Sequence, residues 1–213
     1  MPFRKEEFGE GGYYHVFNRG VNRQRIFVNS ENYRYFLRLL KSHTNKNHIE
    51  LVCYCLMPNH YHLLLYQKSD KSISIFMHGM MSAYSQAFNK QRGRTGTLFE
   101  GRFKYVRVEK QEYLLNLITY LHLNPVKAQL VVNPEDWEYS DYYLWTTYLP
   151  ESCNGKIHSG TFGKMKSWHV DRIKYFRQEL GLPEPSEYKE YITEHQITFE
   201  QDIEFQKYLL DRE

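Results

Sequence analysis

The chain has 213 residues, 41% hydrophobic and 25% charged, which fits one globular domain with or without an appended tail; no apolar run approaches the ~18 residues of a membrane span, and the charged, glycine-containing start from Met1 to Gly12 does not read as a signal peptide. Three cysteines (Cys53, Cys55, Cys153) are too few for a disulfide framework and lack C-x-x-C spacing, so Cys53 and Cys55 are expected to be reduced core thiols in a cytoplasmic protein. The net charge of +3 is uneven: residues 171–213 carry 6 basic and 11 acidic groups and the rest 22 and 14, a basic body that suits a polyanionic partner or, equally, a solvated charged surface.

In chain order, Tyr13 to Phe17 is an aromatic and β-branched run, a first strand ended by the turn residues Asn18-Arg19-Gly20. Ser30 stands where a helix N-cap belongs, and Tyr33, Phe36, Leu37 and Leu40 then recur at helical spacing. Glu50 to Leu56 reads as a buried strand, Met57-Pro58-Asn59 as a turn, and His60 to Tyr66 as the returning strand. Ser72 precedes a second helix with the stripe Ile73, Phe76, Met77, Met80, Met81, Tyr84, Ala87 and Phe88. A basic loop from Gln91 to Gly96 leads to a fourth strand, Phe103 to Val108. A third helix follows, with Leu114, Leu117, Ile118 and Leu121 inward, and Pro125 is expected to close it.

The order β-α-β-β-α-β plus a further helix predicts an α+β, ferredoxin-like (RRM-like) antiparallel sheet. Its helices are expected on one face, leaving the other free for a ligand. After about Tyr143 the periodicity weakens. Asn154 to Lys164 reads as a flexible loop, and Val170 to Leu180 and Phe199 to Leu210 as helices. The expected division is a domain over 1–145 and a C-terminal loop and helical extension over 146–213.

Two local patterns carry chemistry. His60 and His62, at i and i+2 of a strand, project from one face, so their imidazoles can share a cation or be two ordinary strand histidines. Tyr120 and Asn124, one turn apart on the third helix, are neighbours on the row flanking its core stripe. A tyrosine beside a metal can attack phosphate if the site activates it, since its free pKa is near 10. Without that context Tyr120 is one aromatic among 19 tyrosines.

These residues sit in longer segments that resemble a known family. Tyr54-Cys55-Leu56-Met57-Pro58-Asn59-His60-Tyr61-His62-Leu63-Leu64-Leu65 resembles the HUH motif of single-tyrosine transposases. Gly96 to Lys104, Tyr120 to Ala128, and the opening His15-Val16-Phe17-Asn18-Arg19-Gly20 are similar to segments of one branch, the REP-associated tyrosine transposases. The resemblance runs from about Tyr13 to Tyr142. It implies that His60 and His62 bind a divalent metal, Mg²⁺ or Mn²⁺, and that Tyr120 is the nucleophile leaving a 5′-phosphotyrosine and a free 3′-hydroxyl. Asn124 stands where relatives carry a glutamine that completes the metal site, and is either a ligand or a cap for the helix end. Two imidazoles are softer ligands than Mg²⁺ prefers, so Mn²⁺ suits them as well or better.

The implied activity is metal-dependent single-stranded DNA endonuclease and strand transfer, that is transposition and DNA recombination, at hairpins of palindromic repeats. The protein would act as a monomer or homodimer with no membrane partner. Arg19, Arg92, Arg94, Arg102, Lys104, Arg107 and Lys127 are the expected DNA contacts; Tyr13, Tyr14, Phe17 and Tyr105 either stack on bases or pack. The alternatives are a replication- or relaxase-type HUH nuclease, or a non-catalytic binder of nucleic-acid hairpins on an RRM-like sheet. For the acidic tail, covering the basic body, mimicking DNA and mediating association all stay open.

Overall fold

The computed structural model describes residues 8–70, 73–147, 169–182 and 184–195. β1 (Tyr13–Arg19) leads to α1 (Ser30–Asn47), β2 (Ile49–Met57) and β3 (His60–Gln67); α2 (Ile73–Arg92), β4 (Lys104–Val108) and α3 (Gln111–Lys127) follow. The four strands form one sheet in the order β2-β3-β1-β4, and every neighbouring pair is antiparallel. This is the expected split βαβ arrangement in an α+β fold. No helix of the described residues is long and apolar enough to cross a membrane.

The sheet is buried on both faces. Tyr14, Val16, Tyr61, Leu63 and Leu65 face α1 and α2 and pack with Phe36, Leu40, Phe76, Met80 and Tyr84. Cys53, Cys55 and Leu64 face the other way, onto Leu117, Ile118 and Leu121 of α3. The expectation of a free second face is therefore corrected. Three more helices complete that layer: α4 (Tyr142–Thr146), α5 (Val170–Glu179) and α6 (Pro185–His195), through Trp145, Ile173, Phe176, Tyr188 and Ile192. The reason is visible in β2, where Leu51 to Met57 is buried without a break. Strands covered on both faces read as continuous apolar runs, not as alternation.

One irregularity decides which side chains meet α3. In β2, Leu51 pairs with Leu65 and Cys53 with Leu64, so Val52 is an extra residue. A one-residue slip exchanges the two faces of a strand. This one puts both thiols on the α3 side, and both are free and buried, as expected.

Boundaries differ from expectation where side chains, not periodicity, set them. α1 is capped by Asn29, whose Oδ1 accepts the Asn32 N–H at 3.0 Å, and Ser30 is its first helical residue. β1 runs on through Asn18 and Arg19, which pair with Tyr61 and His60. Pro125 does not close α3; it lies inside the helix, which continues to Lys127. Only one ladder bond is lost to the missing N–H, and the chain turns at Gln129, whose φ of 55° is left-handed. Ser72, Asn154 to Lys164 and Phe199 to Leu210 lie outside the described residues; the helix expected from Val170 is present.

Candidate functional site

The 57–60 turn is only two residues long, so β3 starts with His60 opposite both Met57 and Arg19. Two positions on, His62 sits between Phe17 of β1 and Cys55 of β2. The two imidazoles share the α3 face, with ring centroids 5.0 Å apart and planes nearly perpendicular. Both rings are held at Nδ1. His60 Nδ1 is 2.7 Å from Asn59 Oδ1, which can only accept, so His60 donates there and its Nε2 carries the lone pair. His62 Nδ1 lies 2.9 Å from Nε2 of a third histidine, His15 of β1, which is fully buried.

The outward nitrogens remain. Nε2 of His60 and Nε2 of His62 are buried and have no hydrogen-bond partner of good geometry among the described residues. Burial pushes the His60 imidazole down to about 4; the Arg19 charge adds to this, and hydrogen bonding by Asn124 opposes it. Burial, then His60 and His15, hold His62 well below the usual imidazole range. Both rings are neutral at neutral pH, the form that ligates a cation.

α3 brings the tyrosine. Tyr120 and Asn124 were expected to flank the core stripe, but both are buried toward the sheet, because that sheet face is covered. The Tyr120 ring centroid is 5.9 Å from that of His62, in an edge-to-face arrangement. The Lys127 ammonium lies 5.0 Å from the Tyr120 ring centroid, from the last turn of the same helix. Tyr113 is two turns back, with Lys110 over its ring at 5.1 Å.

Of the expected DNA contacts, the fold gathers some and separates others. Arg19 stands beside His60, with its guanidinium on Glu100 (Nε and Nη2 each 3.0 Å from Oε2). A β-carbon at Gly20 would collide with the Gln24 carbonyl and the Ile26 side chain, so this tight turn after Arg19 requires glycine. Lys104 pairs with Phe17 at the histidine end of the sheet, and Arg102 is exposed just before it. Arg92 is exposed at the end of α2, and Arg94 donates from Nη2 to the Thr97 carbonyl at 3.0 Å. Arg107 is displaced: it pairs with Tyr14 and lines a cavity of about 460 Å³ with Tyr13, Leu114 and Phe176, at the far end of β1. Tyr14 and Phe17 are buried and pack; Tyr13 lies on Tyr66 at 4.7 Å and Tyr105 on Phe8 at 4.3 Å.

A second buried cluster holds Cys53, His122 and Asp141, whose ligand atoms lie within 4.8 Å of one another. Metals use such sets, but these lone pairs are taken. Asp141 accepts from His122 Nε2 (3.0 Å), His169 Nε2 (3.0 Å), Trp145 Nε1 (3.2 Å), the Tyr54 N–H (2.9 Å) and the Cys53 thiol (3.4 Å). His122 Nδ1 is 2.6 Å from the Tyr188 hydroxyl. Burial resists ionisation of Asp141, yet the hydrogen bonds from His122 and His169 outweigh it and hold the carboxyl well below the usual range. Burial, then Asp141, pushes the Cys53 thiol up, and a protonated thiol is a poor ligand.

Sequence reasoning missed His15, Asp141, His169 and Tyr188. Alternation alone puts His15 on one face with Phe17 and Arg19, but its meeting with His62 depends on cross-strand register. No local signal links Asp141 to His122 and His169, 19 and 28 residues away.

Comparison with known proteins matches residues 10–124 to the family model described as Transposase IS200 like. A Haemophilus influenzae protein whose name places it among REP-associated tyrosine transposases is 25% identical over 118 residues, 50% of this chain and 67% of that protein. A solved structure of a REP-associated tyrosine transposase bound to a REP hairpin superposes with a TM-score of 0.54 at 17% identity, covering 67% of this chain and 83% of the other. That likeness is one of fold.

Proposed function

This chain belongs to the IS200-like transposase family, and from that premise we propose that it is a metal-dependent single-stranded DNA endonuclease and strand transferase. It acts at DNA hairpins through a 5′-phosphotyrosine on Tyr120. The observation that carries this is the pair of buried Nε2 atoms on His60 and His62, neither with a hydrogen-bond partner of good geometry among the described residues, with the Tyr120 ring 5.9 Å from His62. The residues fit a divalent cation, since a buried neutral imidazole whose Nδ1 is engaged offers its Nε2 lone pair and nothing else. His60 and His62 would hold the ion, with Asn124, beside His60, the third side chain in reach of it. Mg²⁺ or Mn²⁺ held by these residues would supply Lewis-acid stabilisation of the scissile phosphate.

The chain's own groups do the rest. The Tyr120 oxygen attacks phosphorus, the bond from phosphorus to the 3′ oxygen breaks, and the phenolic proton is balanced by the one the new 3′-hydroxyl gains. Because one phosphodiester replaces another, a 3′-hydroxyl can reverse the step without ATP. Lys127, whose ammonium lies 5.0 Å from the Tyr120 ring centroid, offers its charge to the phosphate. Arg19, Arg102 and Lys104, at the histidine end of the sheet, hold the flanking phosphates, with Arg92 and Arg94 further out on the same strand of DNA. Arg107, further along β4 from the scissile site, meets DNA at the stem.

The test is Tyr120→Phe on a denaturing gel with end-labelled hairpin DNA and Mn²⁺. Fold, metal and DNA binding are expected to persist, while cleavage and the protein–DNA adduct disappear. Full cleavage by this variant would move the nucleophile elsewhere.

A further inference from the structure

The hydrogen bond between His15 and His62 has a direction, and the direction matters. Nδ1 of His62 and Nε2 of His15 face each other at 2.9 Å, with ring planes 20° apart, inside the core. One proton lies between them. If His15 supplied it, a neutral His62 would carry its own proton on Nε2; if His62 supplies it, His15 carries one on Nδ1, and burial treats these two nitrogens alike. A cation on Nε2 of His62 chooses between them, because that nitrogen must then keep its lone pair and the shared proton must sit on Nδ1 of His62. His60 is arranged the same way, since its Nδ1 faces the accepting Asn59 Oδ1. The Phe17 ring, 4.8 Å from His15 and 6.2 Å from His62, limits how either ring can turn.

Resting on the metal site proposed above, we propose that His15 is its positioning residue: His15 Nε2 accepts the Nδ1–H of His62 and so holds Nε2 of His62 as an open lone pair for a divalent cation. His15 does not touch the ion or the DNA. It acts through His62, as Asn59 acts through His60, and the two partners aim the pair of lone pairs into one space. Partners of this kind are worth roughly 10–100-fold in metal affinity.

Two measurements test it. In the ¹⁵N-labelled full chain saturated with Mg²⁺, long-range ¹H–¹⁵N correlation spectra report which nitrogen of each ring is protonated. His62 is expected as the Nδ1–H form, and an Nε2–H signal for His62 would overturn the proposal. Mn²⁺ affinity, measured by electron paramagnetic resonance without DNA, is then compared in His15→Leu and His15→Gln. Leucine fills the space without an acceptor and is expected to weaken Mn²⁺ binding about 10–100-fold. Glutamine presents a carbonyl near the same place and is expected to restore most of it. Wild-type affinity in both variants, or equal losses in both, would show that His15 only packs. His62→Ala separates the two levels. If it binds Mn²⁺ like wild type, the metal site itself is wrong and His15 loses its role with it; if it loses Mn²⁺ while His15→Leu does not, only the positioning role fails.

Discussion

Two clusters of buried histidines lie on the same face of the same sheet, and they are built on opposite principles. His15, His60 and His62 have no acidic side chain among the groups that shift His60 and His62, and Nε2 of His60 and Nε2 of His62 are left over on the ligand pair. His122 and His169 share Asp141, whose oxygens accept from five groups on β2, α3, α4 and the start of α5. A spare lone pair in a core costs stability and is kept where something binds; a carboxylate with every lone pair used is architecture. Donor count alone would have chosen the second cluster as the metal site, because it holds a thiol and a carboxylate. The proposed site is the first, because its outward donors are not satisfied.

The comparison breaks if the clusters respond alike to substitution. The largest effect is expected at the first. His60→Ala and His62→Ala should each lower cleavage by about a thousandfold or more, as loss of several kcal/mol of Lewis-acid stabilisation requires. Hairpin binding in a filter assay should stay largely intact, and the melting temperature should fall less than for a break in the second cluster. Cleavage at the wild-type rate by the double variant would place the chemistry elsewhere.

The next effect belongs to the second cluster and is one of stability. Asp141→Asn leaves two histidines without their carboxylate, and breaking a buried pair of this kind costs about 3–5 kcal/mol. A native carboxyl held below its unfolded value stabilises the fold above the unfolded pKa near 4, and that contribution is lost as pH falls through the native value. Wild-type stability should therefore decline in acid below about pH 4, and the variant should show a smaller part of that decline in urea titrations. Mn²⁺ affinity should not change; if it collapses with the fold intact, Cys53, His122 and Asp141 are the metal site after all.

A smaller effect separates near from far cations. Each phosphate contact to single-stranded DNA contributes about 0.7 to the slope of log affinity against log salt. Arg102→Ala with Lys104→Ala should flatten that slope by about 1.4. Arg107→Ala, at the other end of β4, should change it less, and equal changes would mean that DNA covers the whole strand. The smallest effect is expected from Tyr113→Phe, which shares a helix with Tyr120 but lies two turns back along it, and should cleave as wild type does.

The first cluster was half legible in the sequence and the second hardly at all, for a physical reason. His60 and His62 are two apart on a strand, and Tyr120 and Asn124 one turn apart on a helix, so local periodicity places each pair. Joining the pairs needs α3 on the His62 face, which follows from the extra residue at Val52 and the apolar character of both sheet faces. Asp141, His169 and Tyr188 come together only after the C-terminal helices dock. Their weak periodicity made residues beyond about Tyr143 look like an appended tail, and α6 was not foreseen. Ile173, Phe176, Tyr188 and Ile192 are in fact core, so removing residues 171–213 to expose a basic surface would also remove part of the core.

The central claim, that Tyr120 forms a covalent bond to DNA beside the His60–His62 pair, is tested most directly by intact mass and peptide mapping of the wild-type chain after incubation with hairpin DNA and Mn²⁺. The account predicts a mass increase equal to the DNA fragment 3′ of the cleavage site, carried through a 5′-phosphate on the peptide that contains Tyr120. An adduct on another peptide, or cleaved DNA with the protein mass unchanged, would contradict it.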